Sequence, residues 1–143
     1  MRSWPSCAAT TPILVDSNVI LDLATVDSVW AEWSAMVLAR LVNETVLVIN
    51  PLIYAEISVR YESVEELEAA LPMDTFRRDI LPYEAAFLAG KSFLTYRRRG
   101  GRRTSPLPDF YIGAHAAVRG YQLLTRDPAR YRRYFPTVEL IAP

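Results

Sequence analysis

Short apolar runs alternate with stretches of helical spacing along most of this chain. The clearest runs are 13–15 and 46–49, and each has the length of a strand that is buried on both faces of a sheet. Further strands are predicted over 76–81, 122–125 and 138–141. Helical spacing follows the first strand, breaks near 25–28, and returns over 29–41, 51–59, 62–70, 83–98 and 109–119. This alternation predicts an α/β protein, a parallel sheet with helices on both faces.

Acidic residues stand where the chain leaves several of these strands. Asp16 follows the first strand directly, and Asp127 comes just after the fourth. Glu56 lies in the helix after the second strand, and Asp109 lies in the first turn of the helix that Pro108 opens. Since ligands of parallel sheets bind beyond the carboxyl ends of the strands, we predict that all four acids share one rim of the sheet.

A cluster of four carboxylates has a definite chemistry. The acids repel one another unless a cation neutralises them, and an oxygen-only set of ligands selects a hard ion, Mg²⁺ or Mn²⁺. Such ions activate water and stabilise the leaving oxygen in phosphodiester hydrolysis. Taken singly, Asp16 and Asp127 could be helix caps and Asp109 could serve the helix dipole. Glu56 is harder to explain in that way, because an unpaired carboxylate on a mostly apolar helix face is costly to bury.

The composition is that of a globular protein of one domain, and the net charge indicates no particular binding partner. The chain of 143 residues is one domain in size, and its formal net charge is zero. Charge is nevertheless uneven, with ten acids and three arginines through residue 72, against six acids and thirteen bases afterwards. Cys7 is the only cysteine, which excludes an internal disulfide and a thiolate metal cluster. No apolar run approaches a membrane span and no signal peptide is evident, so a cytoplasmic location is expected.

Four sequence motifs, in order, resemble one family. They are ILVDSNVILDL, NPLIYAEI, PDFYIGAHA and LLTRDPARYRRYFP. Together they resemble the PIN-domain nucleases, and most closely the VapC-type toxins of bacterial toxin–antitoxin pairs. The resemblance runs from Pro12 to Pro143, which leaves residues 1–11 as a flexible lead-in to a PIN domain at 12–143.

This resemblance implies both a fold and an activity. The fold is a three-layer α/β/α PIN-like domain with a five-stranded parallel sheet, and the activity is a Mg²⁺-dependent endoribonuclease, with Mn²⁺ as a possible substitute. Asp16 and Asp109 match the direct metal ligands, whereas Glu56 and Asp127 act directly or through metal-bound water. The family's supporting polar positions match Asn18, which steadies the first aspartate, and Thr125. A cognate antitoxin and a homodimer are also implied.

Basic residues form two groups in the second half of the chain, which also contains the single histidine. Arginines flank the Gly100–Gly101 turn before the helix of Asp109, and we interpret them as contacts for the RNA backbone or else as a solvated loop: Arg97, Arg98, Arg99, Arg102 and Arg103. A second basic set stands beside Asp127, some of it predicted to anchor acids structurally: Arg126, Arg130, Arg132 and Arg133. His115 is favoured as a packed or partner-facing residue over a catalytic base, and Asp22 as a surface acid or a support for the site.

Two other functions stay open on the sequence. A phosphatase with an aspartyl nucleophile would use Asp16, but enzymes like the haloacid dehalogenases carry a second aspartate two residues later, where this chain has Asn18. A catalytically silent PIN-fold module that binds RNA is the other alternative. Metal-dependent cleavage of RNA that is lost in Asp16→Ala or Asp109→Ala separates these functions.

Overall fold

The structure, a computed structural model, describes residues 10–25 and 29–143. Its strands are β1 (Ile13–Val15), β2 (Leu47–Ile49), β3 (Phe76–Arg78), β4 (Gln122–Leu124) and β5 (Leu140–Ile141). Its helices are α1 (Ser17–Leu23), α2 (Ala31–Leu41), α3 (Pro51–Ser58), α4 (Val64–Ala70), α5 (Tyr83–Arg98), α6 (Pro108–Arg119) and α7 (Ala129–Tyr134). Residues 1–9 of the predicted lead-in, and residues 26–28 of the predicted helix break, lie outside the described residues.

The five described strands form one sheet in the order β3-β2-β1-β4-β5, and every pairing is parallel. The chain steps to one side from β1 through β2 to β3, and then crosses to the other side for β4 and β5. Because such crossovers are right-handed, the two directions put helices on opposite faces of the sheet. This confirms the predicted α/β fold. The strand order reverses between β1 and β4, which is where open parallel sheets bind their ligands.

The two central runs are buried because both faces of the sheet are covered. All residues of β1 and β2 are buried, and the side chains of Leu14 and Val48 have no exposed surface. Each fully buried side chain of this kind contributes about 1.5–3 kcal/mol relative to an exposed one. The core therefore fixes the strand ends, and with them the rim on which the acids stand.

The outer strands are shorter than the sequence predicts. The third strand, expected over 76–81, ends at Arg78, and Ile80 is exposed. Its pairing partner β2 stops at Ile49, because Asn50 and Pro51 already begin α3, so the later residues have no strand beside them. Likewise the fifth strand covers only Leu140–Ile141 of the expected 138–141.

Helix ends largely follow the predicted signals. Asn50 caps α3 by accepting a hydrogen bond on Oδ1 from the Ile53 amide at 3.0 Å, and Pro51 is the first helical residue. Gly120 ends α6 with φ of 69°, a left-handed conformation that favours glycine. The helices expected at 29–41 and 62–70 begin two residues later, at Ala31 and Val64. None of the helices described is both long and apolar enough to cross a membrane.

Helix α7 was not predicted from the sequence. It has only six residues, five of them arginine or tyrosine in ARYRRY, so it carries no apolar period. Its stability comes from tertiary contacts, since Tyr131 is fully buried and Phe135 packs against α6. Gly113 permits that approach, because a Cβ atom there would lie 2.4 Å from the Phe135 ring.

Candidate active site

The four acids predicted to share a rim all stand at the carboxyl ends of the central strands. Asp16 joins β1 to α1, and its amide donates to the Leu124 carbonyl of β4 at 2.9 Å. Asp127 follows β4 by three residues, while Glu56 and Asp109 project from α3 and from the first turn of α6. The fold therefore brings together residues that are as far apart as 16 and 127 in the sequence.

Asp16 is the centre of this cluster. It is only 4% exposed, and its Oδ1 accepts a hydrogen bond from the Ser17 amide at 2.8 Å. Its Oδ2 accepts from the Thr125 hydroxyl at 2.8 Å and the Tyr131 hydroxyl at 2.9 Å. The first bond is a helix-cap contact, so the capping interpretation of Asp16 holds alongside its place in the cluster.

Three bridging side chains connect Asp16 to the other acids. Ser17 donates through Oγ to Glu56 at 3.0 Å, while its amide holds Asp16. The Tyr131 hydroxyl lies 3.4 Å from Asp109 Oδ1 as well as beside Asp16. The third bridge is Asn18, whose Nδ2 atom lies 3.4 Å from Asp16 Oδ2 and 3.5 Å from Asp127 Oδ2. One network thus spans all four carboxylates.

Asn18 and Thr125, the two predicted supporting residues, both lie within this network. The side-chain Oδ1 of Asn18 accepts from the Arg126 backbone amide at 3.1 Å, and this orients Nδ2 of Asn18 toward the acids. Thr125 Oγ1 also accepts from the Asp127 amide at 3.1 Å. Since Asn18 donates where a haloacid-dehalogenase-like phosphatase carries an acid, the local chemistry differs from that of the phosphatase alternative.

Burial and like charges work against ionisation of Asp16, Glu56 and Asp109. Burial, and secondarily the charge of Asp109, raise the pKa of Asp16 above its ordinary 3.8, although hydrogen bonds from Thr125 and Tyr131 lower it. Burial and the charges of Asp16 and Asp109 likewise raise the pKa of Glu56. Burial also raises the pKa of Asp109, which the Arg130 guanidinium partly offsets. The cluster is therefore short of positive charge.

These raised pKa values predict how stability depends on pH. Asp16 ionises less readily in the folded protein than in the unfolded chain. The stability that its protonated form contributes is therefore fully present below about pH 3.8 and is lost as the pH rises through the pKa of the folded state. Asp16→Asn cannot ionise, so its stability relative to the wild type is expected to increase between pH 4 and pH 7. Urea unfolding in EDTA at several pH values measures this difference, and a difference that is constant with pH would contradict it.

Two residues of the network were not singled out as site residues from the sequence. Tyr131 is 1% exposed, and burial together with the charges of Asp16 and Asp109 raises its pKa well above 10.0, so it remains a hydroxyl donor. Ser17 contacts both Asp16 and Glu56. Its adjacency to Asp16 was a usable signal, whereas Tyr131 belongs to a helix that the pattern does not reveal.

Two of the four arginines beside Asp127 form ion pairs with acids, and the other two are exposed. Arg126 Nε lies 3.1 Å from Asp22 Oδ2, and Arg130 Nη1 lies 3.4 Å from Asp109 Oδ2, which confirms that some of these arginines anchor acids. Asp22 is 4% exposed and also accepts from the Ser34 hydroxyl, so its interpretation as a surface acid is wrong. Arg132 and Arg133 are exposed on α7.

His115 is a packed residue, as favoured from the sequence. It is fully buried, and its Nδ1 accepts from Asn50 Nδ2 at 2.9 Å, because Asn50 Oδ1 is already engaged by the cap of α3. Burial lowers the pKa of His115, which favours the neutral ring that this bond requires. The bond joins α3 and α6, the helices of Glu56 and Asp109.

The arginine loop lies between α5 and α6. Arg97 Nη1 donates to the carbonyl oxygen of Arg103 at 2.7 Å and to that of Gly101 at 3.4 Å, so this side chain holds the loop backbone. Arg99 lies against Tyr134 of α7, with its Cζ 5.4 Å from the ring centroid. The remaining members, Arg98, Arg102 and Arg103, are exposed.

The oxygen atoms of the four carboxylates are ligands of the kind that a hard divalent cation prefers. All four groups are carboxylates, and the raised pKa values of three of them are what a nearby cation would reverse. Within residues 10–25 and 29–143, however, no three acidic, histidine or cysteine side chains are grouped closely enough to hold a metal ion. The Asp16 oxygens are instead engaged by hydrogen-bond donors.

A parallel sheet with carboxylates at its switch point defines a class of α/β protein, and comparison with known proteins identifies the family. The family model of the PIN domain matches residues 13–135. The chain therefore belongs to the PIN domain family, which confirms the resemblance drawn from its motifs. No curated protein has a significantly similar sequence.

Solved structures support the same fold. A chain of VapBC2 from Rickettsia felis, bound to a DNA fragment from their promoter, is similar with a TM-score of 0.71 at 14% identity, over 92% of this chain and 98% of that one. A chain of VapBC-1 from nontypeable Haemophilus influenzae gives 0.70 at 18% identity, over 92% and 97%. VapBC-5 from Mycobacterium tuberculosis, a member of the VapBC family of toxin–antitoxin systems, gives 0.59 at 17% identity, over 94% and 100%.

Proposed function

We propose that this protein is a Mg²⁺-dependent endoribonuclease and the toxin of a toxin–antitoxin pair. The observation that carries the proposal is the hydrogen-bond network that connects Asp16 to Glu56, Asp109 and Asp127 at the switch point of a PIN-domain sheet. Asp16 is a buried carboxylate, and apolar residues would meet a purely structural need at its position at lower cost. Its retention at a ligand-binding rim supports a catalytic role.

Asp16 and Asp109 would hold the cation, with Glu56 and Asp127 contributing directly or through water. When bound, Mg²⁺ or Mn²⁺ supplies an activated water and offsets the charge of the phosphate. Thr125, Tyr131 and the amide of Ser17 keep the Asp16 carboxylate in place. Glu56 is half-buried with a raised pKa, so it is suited to take up a proton released during hydrolysis.

RNA is proposed as the substrate on the family resemblance and on the arginines near the site. Arg130 contacts Asp109 directly, and Arg99 lies against α7, so positive charge borders the acid cluster on one side. Such charge binds the nucleic-acid backbone without reading its sequence. The arginine loop, Arg97 to Arg103, is proposed to bind the RNA outside the cluster.

A cognate antitoxin and a homodimer are proposed from the resemblance to VapC-type toxins. Toxin–antitoxin complexes of the VapBC family are among the structures with this fold, which supports a protein partner. Large apolar side chains that are strongly exposed, such as Ile80 at 80% and Tyr83 at 92%, could be covered in such assemblies. Light scattering of the protein alone tests the dimer. The cytoplasmic location stays a prediction.

The decisive experiment is a cleavage assay with the purified protein. Labelled single-stranded RNA and DNA of one sequence are incubated with Mg²⁺, with Mn²⁺ or with EDTA. We expect cleavage of the RNA with either metal and none in EDTA. Binding of RNA without cleavage under every condition would instead favour the silent RNA-binding module, and cleavage in EDTA would overturn metal dependence.

A further inference from the structure

A small concave surface adjoins the acid cluster on the side of α7. It encloses about 280 Å³ and is lined by Tyr96 of α5 and by Ala129, Arg130, Arg133 and Tyr134. Arg130 belongs both to this pocket and to the cluster, because its Nη1 atom lies 3.4 Å from Asp109 Oδ2. The pocket is therefore one side chain away from the proposed point of cleavage.

Arg133 in the lining of the pocket, and Arg99 beside it, carry positive charge that the fold leaves uncompensated. Arg133 and Arg99 both lie near the ring of Tyr134, with Cζ atoms 5.6 and 5.4 Å from its centroid. Neither guanidinium has a carboxylate within 4.0 Å among the residues that the structure describes. Arg130, by contrast, is paired with Asp109. The unpaired charges can therefore serve an external anion.

The aromatic rings hold these guanidinium groups in a limited range of positions. Tyr134 packs against Tyr96 and Phe110, with ring centroids 6.3 and 5.4 Å apart, so it is itself fixed. A guanidinium held near such a ring by cation–π attraction loses less side-chain entropy when it binds a ligand. The planar fork of arginine also suits bidentate contact with phosphate oxygens.

We propose that this pocket binds a backbone phosphate of the RNA strand, on one side of the phosphodiester that is cleaved at the acid cluster. Arg133 is its principal contact, with Tyr134 in the lining and Arg99 beside the pocket. The inference rests on the proposed function and adds a specific substrate subsite to it. The size suits a phosphate and its sugar, because 280 Å³ is below the usual range for a drug-sized ligand, about 300–1,000 Å³.

Binding without cleavage tests the pocket. Fluorescence anisotropy of a labelled ten-nucleotide single-stranded RNA is measured in EDTA for the wild type, Arg133→Gln and Arg132→Gln. Arg132 is the matched control, since it is exposed on the same helix but does not line the pocket. Arg133→Gln is expected to weaken binding about five- to tenfold at low salt and to reduce the salt-dependence slope by about 0.7, one phosphate contact on a single strand. Arg132→Gln should stay within about twofold.

The outcomes separate this subsite from the nuclease proposal. Equal effects of the two substitutions, or none from Arg133→Gln, would overturn the subsite even if the wild type cleaves RNA. If the wild type binds RNA, Arg133→Gln weakens that binding and no cleavage occurs, the pocket stands as a phosphate-binding site and the nuclease proposal fails. Where cleavage occurs, Arg133→Gln should raise KM about fivefold with kcat nearly unchanged, because the contact is made equally in the ground and transition states.

Discussion

Asp16→Asn is expected to lower RNA cleavage by about 1000-fold, the loss typical of removing a group that stabilises the transition state. Asp16 is the one acid that the network joins to the other three, so no neighbouring carboxylate can take its place. The amide keeps the size of the side chain but loses the negative charge that would hold the cation. Initial cleavage rates with saturating Mg²⁺ measure the effect.

The control for this substitution is Asp74→Asn. Asp74 is exposed in the loop before β3, at the opposite end of the parallel strands from the acid cluster. Asp74→Asn is the same chemical change made far from the cluster, so the variant should cleave RNA at the rate of the wild type. An Asp16→Asn protein that is folded by circular dichroism and retains more than a tenth of wild-type activity would remove Asp16 from the catalytic centre.

Phe110→Ala is expected to destabilise the protein by about 3–5 kcal/mol, the cost of deleting a large core side chain and leaving a cavity. Phe110 has no exposed surface, and its ring lies 5.4–6.5 Å from four others, those of Phe93, Tyr96, Tyr134 and Phe135. This cluster attaches α7 to α5 and α6. Equilibrium unfolding in urea measures the loss.

Phe87→Ala on α5 provides the comparison. Its ring is 69% exposed, so the same substitution should change the unfolding free energy by less than about 0.5 kcal/mol. The comparison is made between samples of one oligomeric state. If both variants lose the same stability, the aromatic cluster does not attach α7 in the way described.

The position of the acids could be predicted because it depends on the strands that are easiest to recognise. Asp16 directly follows the apolar run that is buried in β1, Asp127 comes three residues after the end of β4, and parallel strands end on a common rim. The cap formed by Asn50 and Pro51 likewise set the start of α3, and with it the place of Glu56. Local signals and the rule for parallel sheets were sufficient here.

Tyr131 could not be predicted in the same way. It is four residues beyond Asp127, on a helix of six residues that exists only because Tyr131 and Phe135 are buried by other parts of the chain. Periodicity reports how one segment faces a core, and α7 has no such period. The predicted length of β3 was wrong for a related reason, because β3 ends where its neighbour β2 ends.

The uneven charge of the sequence also has a structural outcome. Asp16 and Glu56 come from the acidic part of the chain, whereas Asp109, Asp127 and the arginines of α7 come from the basic part. The fold interleaves the two parts at β1 and β4, so acids from both meet at one rim. The charge asymmetry therefore does not divide the surface into an acidic and a basic half.

The most direct test of this account is to locate a bound ion. Crystals grown with Mn²⁺ and measured for anomalous scattering should show a peak about 2.1 Å from carboxylate oxygens of both Asp16 and Asp109, the distance of a hard divalent cation from its ligands. An ion bound only elsewhere on the protein, or no peak between these two residues at millimolar Mn²⁺, would contradict the claim that the four acids form one metal-dependent site.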